Sequence, residues 1–351
     1  MSDLGVDLRL DGPGALRITP AERPGAALGP DEVLVEVDRV TLCGSDQALY
    51  QGSYGGPSSY PLRFGHEWAG RVVDTGRRGT ALLGRWVTGD CSRWCGDCPR
   101  CDQDRNVCGR IEKFGLTVDG FSTRLRVVDR RYLYPDTHDL GPGLLALSEF
   151  FAVAEHGLRR VRPAAGDRTL VVGAGALGLA SYLLLTGSYQ ATELDLLEPD
   201  PAKAAAVGKL FPSARVYTEL PQPPAAARAA GGYAALTAAA RYALVVDCSS
   251  GAAGLDTALT VALPLGRVLC FGLRQTASVR TDLLVAKGLT LTGSIGGTGS
   301  FAQAQAFLSG HREQAGLLVT HTWPAEEAAA AFESDDRTRI KTQLTFGEDA
   351  R

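Results

Sequence analysis

The chain has 351 residues, of which 45% are hydrophobic and 21% charged, and its formal net charge is -3. This composition is that of a folded globular protein, and the length predicts two domains. The charge gives no net attraction to nucleic acid or to an anionic membrane, so neither is expected as a partner. The first residues lack a secretory pattern, and apolar runs stay below the roughly 18 residues of a membrane span. A cytoplasmic location is therefore expected.

Short alternating apolar runs separated by glycine and proline fill roughly the first 145 residues. Two examples are EVLVEV at 32–37 and RLRVV at 124–128. Period-two alternation broken by turn residues predicts a small, irregular, mostly β domain.

A cluster of cysteines interrupts this β pattern. It consists of Cys95, Cys98, Cys101 and Cys108. In a reducing compartment, thiols at two-residue spacing favour a metal over disulfides. Four thiolates in so short a span predict a closed tetrahedral zinc site, which leaves no position for substrate and is therefore structural. A zinc ribbon that binds nucleic acid is the rival interpretation, but three interleaved aspartates disfavour a phosphate-binding surface.

From about residue 165, apolar strands alternate with helical segments, a rhythm that predicts a doubly wound parallel sheet. The stretch GAGALG at 173–178 follows the strand TLVV and opens an apolar helix. Gly173 permits the turn, Gly175 lets the backbone approach a pyrophosphate, and Gly178 allows close packing. Ala176 and Leu177 lie at the helix N-terminus, where phosphate binds. The Ala/Pro-rich stretch 220–240 is expected to form a loop followed by a helix.

An acidic residue, Glu198, stands twenty residues beyond Gly178 at the end of the strand LDLLE. Such a carboxylate accepts hydrogen bonds from ribose hydroxyls and repels a 2′-phosphate, so NAD(H) is favoured over NADP(H). Asp200 is a competing acid two residues later. A glycine turn without any nucleotide is the alternative interpretation of the whole motif.

Further candidate ligands are dispersed: Cys43 in TLCGSD, His66 and Glu67 in RFGHEW, and Glu149 in LSEFF. Singly, such residues are more often core material than ligands. Together with the cysteine cluster and the glycine loop, all in order, they make the whole chain resemble the zinc-dependent medium-chain alcohol and polyol dehydrogenases.

That resemblance implies a mixed α/β fold with a GroES-like irregular β domain and a Rossmann domain. The implied boundaries are 1–147 with 298–351 for the catalytic domain, including a structural zinc lobe at 91–110, and 148–297 for the dinucleotide domain. It also implies one catalytic zinc, one structural zinc and NAD(H) as cofactors, and a homodimer or homotetramer.

The resemblance assigns Cys43 and His66 to the catalytic zinc, while Glu67 and Glu149 both remain candidates for the third ligand. Ser45 matches the residue that passes the substrate proton toward the nicotinamide ribose. Asp46 matches an acid that would orient His66 by accepting its other ring N–H.

Three further positions follow from the resemblance. Lys203 matches a base near the adenosine ribose, and His156 matches a position that is usually structural. Lys341 matches a C-terminal basic position, although a solvated surface lysine is an equal alternative.

Relatives usually leave seven residues between the third and fourth cysteines of the lobe, whereas CDQDRNVC leaves six. Cys91 is therefore an alternative fourth ligand, with Cys95, Cys98, Cys101 and Cys108 preferred.

The expected substrate is a small polar alcohol or ketone. The loop between the catalytic motifs offers polar side chains to line a pocket: Gln47, Tyr50, Gln51, Tyr54 and Tyr60. Its motifs look like those of dehydrogenases acting on cyclitols and aminocyclitols, such as 2-deoxy-scyllo-inosamine in aminoglycoside antibiotic biosynthesis. The alternatives are a threonine-type or general secondary alcohol dehydrogenase, a zinc-free quinone or enoyl reductase, and a non-catalytic binding protein on a dehydrogenase scaffold.

Overall fold

The computed structural model describes residues 4–222, 231–249, 251–273 and 279–347. The chain divides into two compact units, one formed by Met1–Ala152 with Gly296–Arg351 and the other by Val153–Ile295. Within the described ranges, every helix is too short or too polar to cross a lipid bilayer.

The first unit is built on a seven-stranded sheet. Its strands are β3 (Glu32–Leu42), β4 (Glu67–Thr75), β5 (Trp86–Gly89), β8 (Leu125–Asp129), β9 (Leu133–Pro135), β16 (Val319–Pro324) and β17 (Lys341–Thr345). Six of them run in the order β16-β17-β3-β4-β5-β9, and β8 also pairs with β3. Two short hairpin-like sheets accompany it, β1 (Val6–Gly12) with β2 (Ala15–Pro20) and β6 (Ser92–Arg93) with β7 (Glu112–Lys113).

Strand β3 is the centre of this sheet, where it pairs with β17, β4 and β8. Val33, Val35 and Val37 are fully buried in the core, and two register shifts against β4 bend the strand. Aromatic rings complete the core, with Trp68 stacked on Phe121 at 4.0 Å between ring centroids. This bent, partly bulged sheet is the irregular β domain that the alternating pattern predicted.

Helices surround this sheet. Those of the first unit are α1 (Gly44–Gln51), Pro99–Gln103, Gly141–Leu145, Phe301–Gly310, Arg312–Gly316 and Ala328–Glu333, with short 3-10 turns at Thr80–Leu82, Arg105–Val107, Arg130–Tyr132 and Ala325–Glu327. The longest helix, Ser148–Val161, begins in the first unit and ends in the second.

The second unit holds a six-stranded parallel sheet. Its strands are β10 (Thr169–Val172), β11 (Leu194–Leu197), β12 (Arg215–Tyr217), β13 (Tyr242–Asp247), β14 (Ala262–Cys270) and β15 (Thr290–Gly293), in the order β12-β11-β10-β13-β14-β15. Its helices are Ala176–Gly187, Pro201–Leu210, Tyr233–Thr237, Ala252–Val261 and Thr281–Ala286. The strand order reverses between β10 and β13, which is where doubly wound sheets bind dinucleotides.

The α/β fold class predicted from the sequence is confirmed, with a GroES-like β unit and a Rossmann-like parallel sheet. Of the predicted loop and helix at 220–240, the structure forms the helix Tyr233–Thr237. Residues 223–230 of that stretch lie outside the described ranges.

Candidate active site and metal centres

The four cysteines of the lobe come together as a compact group. The sulfur atom of Cys95 lies 3.4 Å from that of Cys108, and the sulfur atoms of Cys98 and Cys101 are 3.6 Å apart. The Cys95–Cys101 and Cys98–Cys108 pairs are both separated by 3.8 Å. A tetrahedral site with Zn–S bonds of about 2.3 Å has sulfur atoms about 3.8 Å apart, so the geometry fits zinc.

Backbone groups of the lobe stabilise the thiolate form that a metal needs. The N–H groups of Gly109 and Cys101 lower the pKa of the Cys98 thiol to about 6. The sulfur of Cys108 accepts hydrogen bonds from the N–H groups of Cys95 and Arg110, at 3.4 and 3.3 Å. The lobe is therefore prepared for a metal ion by its own backbone.

Cys91, the alternative ligand, lies apart from this group. Its thiol is buried and donates to the carbonyl oxygen of Phe114 at 3.8 Å, and burial raises its pKa well above the ordinary value. The shortened loop before Cys108 thus closes without Cys91.

Loss of a lobe cysteine should remove one zinc ion and destabilise the protein. We expect Cys98→Ser to retain one zinc equivalent fewer than the wild type by elemental analysis. Loss of a structural metal costs roughly 4 kcal/mol or more, which corresponds to about 10 °C in Tm. Cys91→Ser is the matched control and should keep the wild-type zinc content. The reverse pattern would show that Cys91 is the true ligand.

A second group of possible metal ligands forms where two neighbouring strands meet. Cys43 follows the end of β3, and His66 immediately precedes β4, whose first residue is Glu67. Because β3 and β4 are antiparallel, with Thr41 opposite Glu67, both segments lie at the same end of the sheet. Ligand atoms of Cys43, His66 and Glu67 all lie within 4.8 Å of one another.

Asp46 fixes both segments through their backbones. One carboxylate oxygen accepts the N–H of Cys43 at 2.8 Å, and the other accepts the N–H of Gly65 at 3.0 Å. The predicted hydrogen bond to the His66 ring is wrong, because Nδ1 lies 3.8 Å from the carboxylate. Within the described part of the chain, this buried Nδ1 has no hydrogen-bond partner. Asp46 is fully buried and acts on the residue before His66.

Glu67 forms a buried ion pair with Lys341. The Lys341 ammonium lies 2.5 Å from Glu67 Oε1 and also donates to the carbonyl oxygen of Leu42 at 3.3 Å. Burial alone would lower the pKa of Lys341, but the charges of Glu67 and Cys43 outweigh it and raise that pKa. Since Lys341 is only 3% exposed, the expectation of a solvated surface lysine is wrong.

Glu149 lies in the first turn of the helix Ser148–Val161 and is 5% exposed. It stands outside the group of three ligands but interacts electrostatically with each of them. Burial, opposed by the charge of His66 and reinforced by Glu67 and Cys43, raises its pKa to about 8. The arrangement therefore gathers one thiol, one imidazole and two carboxylates.

The Ser45 side chain acts to lower the pKa of the nearby Cys43 thiol, but more weakly than burial raises it. Burial, followed by the charge of Glu67, raises the pKa of Cys43 to about 11. A buried thiol beside carboxylates needs a positive ion before it is a stable thiolate. The donor set fits a zinc ion, whose usual ligands are thiolate, imidazole and carboxylate.

Several residues predicted to line a substrate pocket form hydrogen bonds with other parts of the chain. Gln47 donates to the carbonyl oxygen of Phe332 at 2.9 Å, and Tyr50 donates to Glu333 at the same distance. Tyr60 donates to the carbonyl oxygen of Leu49 at 2.8 Å. Gln51 is exposed. Tyr54 is half-buried, and burial raises its pKa to about 12.

The glycine loop has the geometry that a dinucleotide requires. Gly173 has a φ of +91°, which glycine adopts without strain. A Cβ atom on Gly178 would lie 1.9 Å from the carbonyl oxygen of Gly173, so only glycine fits there. A Cβ on Gly175 would meet no described atom within 4 Å, which leaves room for a phosphate. The following helix begins at Ala176 and Leu177.

Glu198 lies directly beside this loop. Its carboxylate accepts the N–H of Ala174 at 3.1 Å and that of Asp200 at 3.1 Å. Asp200, the competing acid, accepts the N–H of Ala202 at 3.0 Å and is the N-cap of the next helix. Lys203, in the first turn of that helix, is partly exposed. The two acids therefore have different local roles.

Sequence reasoning missed Asp247 and Ser249, which follow the carboxyl end of β13. The Ser249 hydroxyl donates to the Asp247 carboxylate at 2.7 Å, and the Ser249 N–H lies 3.3 Å from the Cβ position of Gly173. Polar residues at the carboxyl end of a strand beside the glycine loop were the available signal.

Comparison with known proteins relates this chain to alcohol dehydrogenases. Residues 29–138 match the alcohol dehydrogenase GroES-like domain. The chain is 29% identical to L-galactonate-5-dehydrogenase of Escherichia coli over 91% of this chain and 93% of the relative. It is 27% identical to L-threonine 3-dehydrogenase of Symbiobacterium thermophilum over 92% and 91%.

Solved structures show the same fold. The crystal structure of the alcohol dehydrogenase RspB from E. coli CFT073, complexed with NADH, superposes with a TM-score of 0.85 at 24% identity, covering 97% of this chain and 99% of that one. Over nearly its whole length the chain is therefore similar to zinc-type medium-chain alcohol and polyol dehydrogenases. It is a nicotinamide-dependent alcohol dehydrogenase.

Proposed function

We propose that this protein uses NAD(H) to interconvert a secondary alcohol and a ketone on a polyol, cyclitol or aminocyclitol, of the kind found in aminoglycoside biosynthesis. The observation that carries the reaction type is the convergence of Cys43, His66 and two buried carboxylates, separate from a tetracysteine lobe. A closed lobe has no place for substrate, whereas three protein ligands leave a fourth position open.

Cys43, His66 and Glu149 are the proposed catalytic zinc ligands. The Glu67 carboxylate is already neutralised by the buried Lys341 ammonium, which contacts both of its oxygens. Among the described residues, the buried Glu149 carboxylate forms no salt bridge, so it is proposed to balance the remaining charge, since one thiolate and one carboxylate neutralise a divalent ion. In this proposal, the Glu67–Lys341 ion pair contributes to the electrostatic potential at the metal without binding it.

Replacing Glu149 and Glu67 in separate variants tests which of the two carboxylates binds the catalytic zinc. We expect Glu149→Ala to lose the catalytic zinc while keeping the zinc ion of the lobe. A Lewis-acidic metal supplies several kcal/mol, so kcat/KM should fall by about a thousandfold or more. Elemental analysis and steady-state kinetics would measure both effects.

Glu67→Gln is the matched variant. It should keep the wild-type zinc content, because the proposed ligands remain in place. Zinc loss in Glu67→Gln together with full zinc occupancy in Glu149→Ala would reverse the assignment of the third ligand.

Zinc bound at this site would act as a Lewis acid that polarises the substrate oxygen. Ser45, beside Cys43, is proposed to take the alcohol proton and to pass it toward the nicotinamide ribose. Asp46 keeps Cys43 and the residue before His66 in place during turnover, because its two hydrogen bonds are buried. Hydride transfer itself is the chemistry of the nicotinamide.

Selectivity for NAD over NADP is assigned to Glu198, and Lys203 is proposed to lie near the adenosine ribose. The Glu198 carboxylate stands at the end of β11 beside the glycine loop. There it would accept the ribose hydroxyls and repel a 2′-phosphate.

We expect Glu198→Gln to raise KM for NAD by about tenfold, because hydrogen bonds to a charged group contribute about 1.5 kcal/mol or more. The ratio of kcat/KM for NAD and NADP should move toward one. Asp200→Ser is the control, since serine preserves the helix cap. A shift in cofactor preference in the control alone would assign the selectivity to Asp200.

Two relatives of this chain, an L-galactonate-5-dehydrogenase and an L-threonine 3-dehydrogenase, support a small polar substrate that carries a hydroxyl group. A panel of polyols, cyclitols, aminocyclitols and L-threonine with NAD, followed by NADH absorbance, tests the proposal. We expect the highest kcat/KM with a ring polyol or its amino derivative. Turnover of L-threonine alone would favour the threonine-type alternative, and no turnover of any alcohol would contradict the proposed reaction.

A homodimer or homotetramer is also proposed. β15 lies at one edge of the parallel sheet, and the apolar side chains of Leu291 and Ile295 on and after it are exposed. An unpaired apolar edge of this kind favours pairing with a second copy.

A further inference from the structure

The loop that closes the tetracysteine lobe makes contacts that zinc binding does not require. Between Cys101 and Cys108 the chain forms a short turn at Arg105–Val107, and Asn106 within it is 2% exposed. The carboxylate of Asp104 holds this side chain in place by accepting its amide N–H at 2.8 Å.

Asn106 pairs with the backbone of Thr298. Its Nδ2 donates to the Thr298 carbonyl oxygen at 3.2 Å, and its Oδ1 accepts the Thr298 N–H at 3.0 Å. One side chain thus satisfies both backbone groups of a single residue, as a neighbouring strand would. Gly296, with a φ of +72°, permits this approach, because a Cβ there would lie 2.2 Å from Asn106 Oδ1.

A second contact holds the same segment. The Thr298 hydroxyl donates to the buried carboxylate of Asp90 at 2.6 Å, and the other oxygen of Asp90 accepts the Ser92 N–H at 2.8 Å. The ring of Tyr134 stacks on Phe301 with 3.9 Å between centroids. The segment 296–301 is therefore fastened to the lobe and to the strand that leads into it.

The segment 296–301 lies close to the parallel sheet along the chain. It follows β15, whose carboxyl end is Gly293, by only a few residues. In doubly wound sheets, dinucleotides bind at the carboxyl ends of the parallel strands. Holding residues 296–301 in place therefore limits how far the chain can move where it leaves the carboxyl end of β15.

We propose that Asn106 is a positioning residue that couples the order of the zinc lobe to cofactor affinity by fixing Thr298. The inference rests on the proposed function, since it requires that the protein bind NAD(H). Asn106 touches neither reacting atoms nor zinc in this scheme.

The test uses the full-length, zinc-loaded Asn106→Ala variant. Removing the amide leaves the Thr298 N–H without its acceptor, so its hydrogen exchange should accelerate about tenfold or more. We expect the Kd for NADH, from fluorescence titration, to rise by about three- to thirtyfold, the range of coupling measured for positioning residues. The value of kcat at saturating NAD should stay within about twofold.

Two further variants make the result decisive. Arg105→Ala, which removes a guanidinium packed over the exposed side of the lobe at Trp94, should leave NADH affinity unchanged. Thr298→Val leaves the lobe intact but removes the hydrogen bond to Asp90, and should weaken NADH binding in the same direction. It replaces Asn106→Ala as the test if that variant loses zinc.

Wild-type NADH affinity in a zinc-retaining Asn106→Ala variant would overturn the inference, whatever happens to exchange. Unchanged exchange at Thr298 would overturn it as well. Failure of the wild-type protein to bind NADH would instead contradict the proposed function, so the two failures are distinguishable.

Discussion

The candidate active site depends on the two hydrogen bonds that Asp46 accepts. Its carboxylate holds the N–H of Cys43 on one oxygen and the N–H of Gly65 on the other. The pairing of β3 with β4 brings the two segments to one end of the sheet, and Asp46 joins their backbones at Cys43 and Gly65. Because this carboxylate is fully buried, water does not compete for its hydrogen bonds. The backbone positions from which the Cys43 thiol and the His66 imidazole project are therefore fixed.

Charge balance explains the rest of the site. Two glutamates beside a thiol would repel one another in a buried space unless cations compensate them. Lys341 compensates Glu67 from β17, which lies next to β3 in the sheet. The remaining thiol and carboxylate match a divalent ion in charge and in chemical type. The local electrostatics thus account for the two glutamates and for Lys341.

Much of this could be predicted from sequence because the signals are local. The cysteine spacing, the glycine loop and the acid after β11 are short patterns whose geometry follows from a few residues. What could not be predicted depends on pairing between distant segments. Lys341 looks like a surface lysine until β17 is placed beside β3, and Asn106 looks like an ordinary turn residue until Thr298 is placed beside it. The hydrogen bonds of Gln47 and Tyr50 depend on such pairing as well, since their partners at 332 and 333 lie almost 300 residues away.

The position of Lys341 in the chain has a consequence for biosynthesis. Glu67 and its partner are separated by 274 residues, so a ribosome that has made the whole Rossmann-like unit has still not supplied the cation. Until the last strand joins the sheet, the nascent metal pocket carries an excess negative charge that disfavours burial. A prematurely terminated chain could thus contain every zinc ligand and still fail to form the pocket. The addition of β17, which carries Lys341, is therefore the step that makes the centre stable.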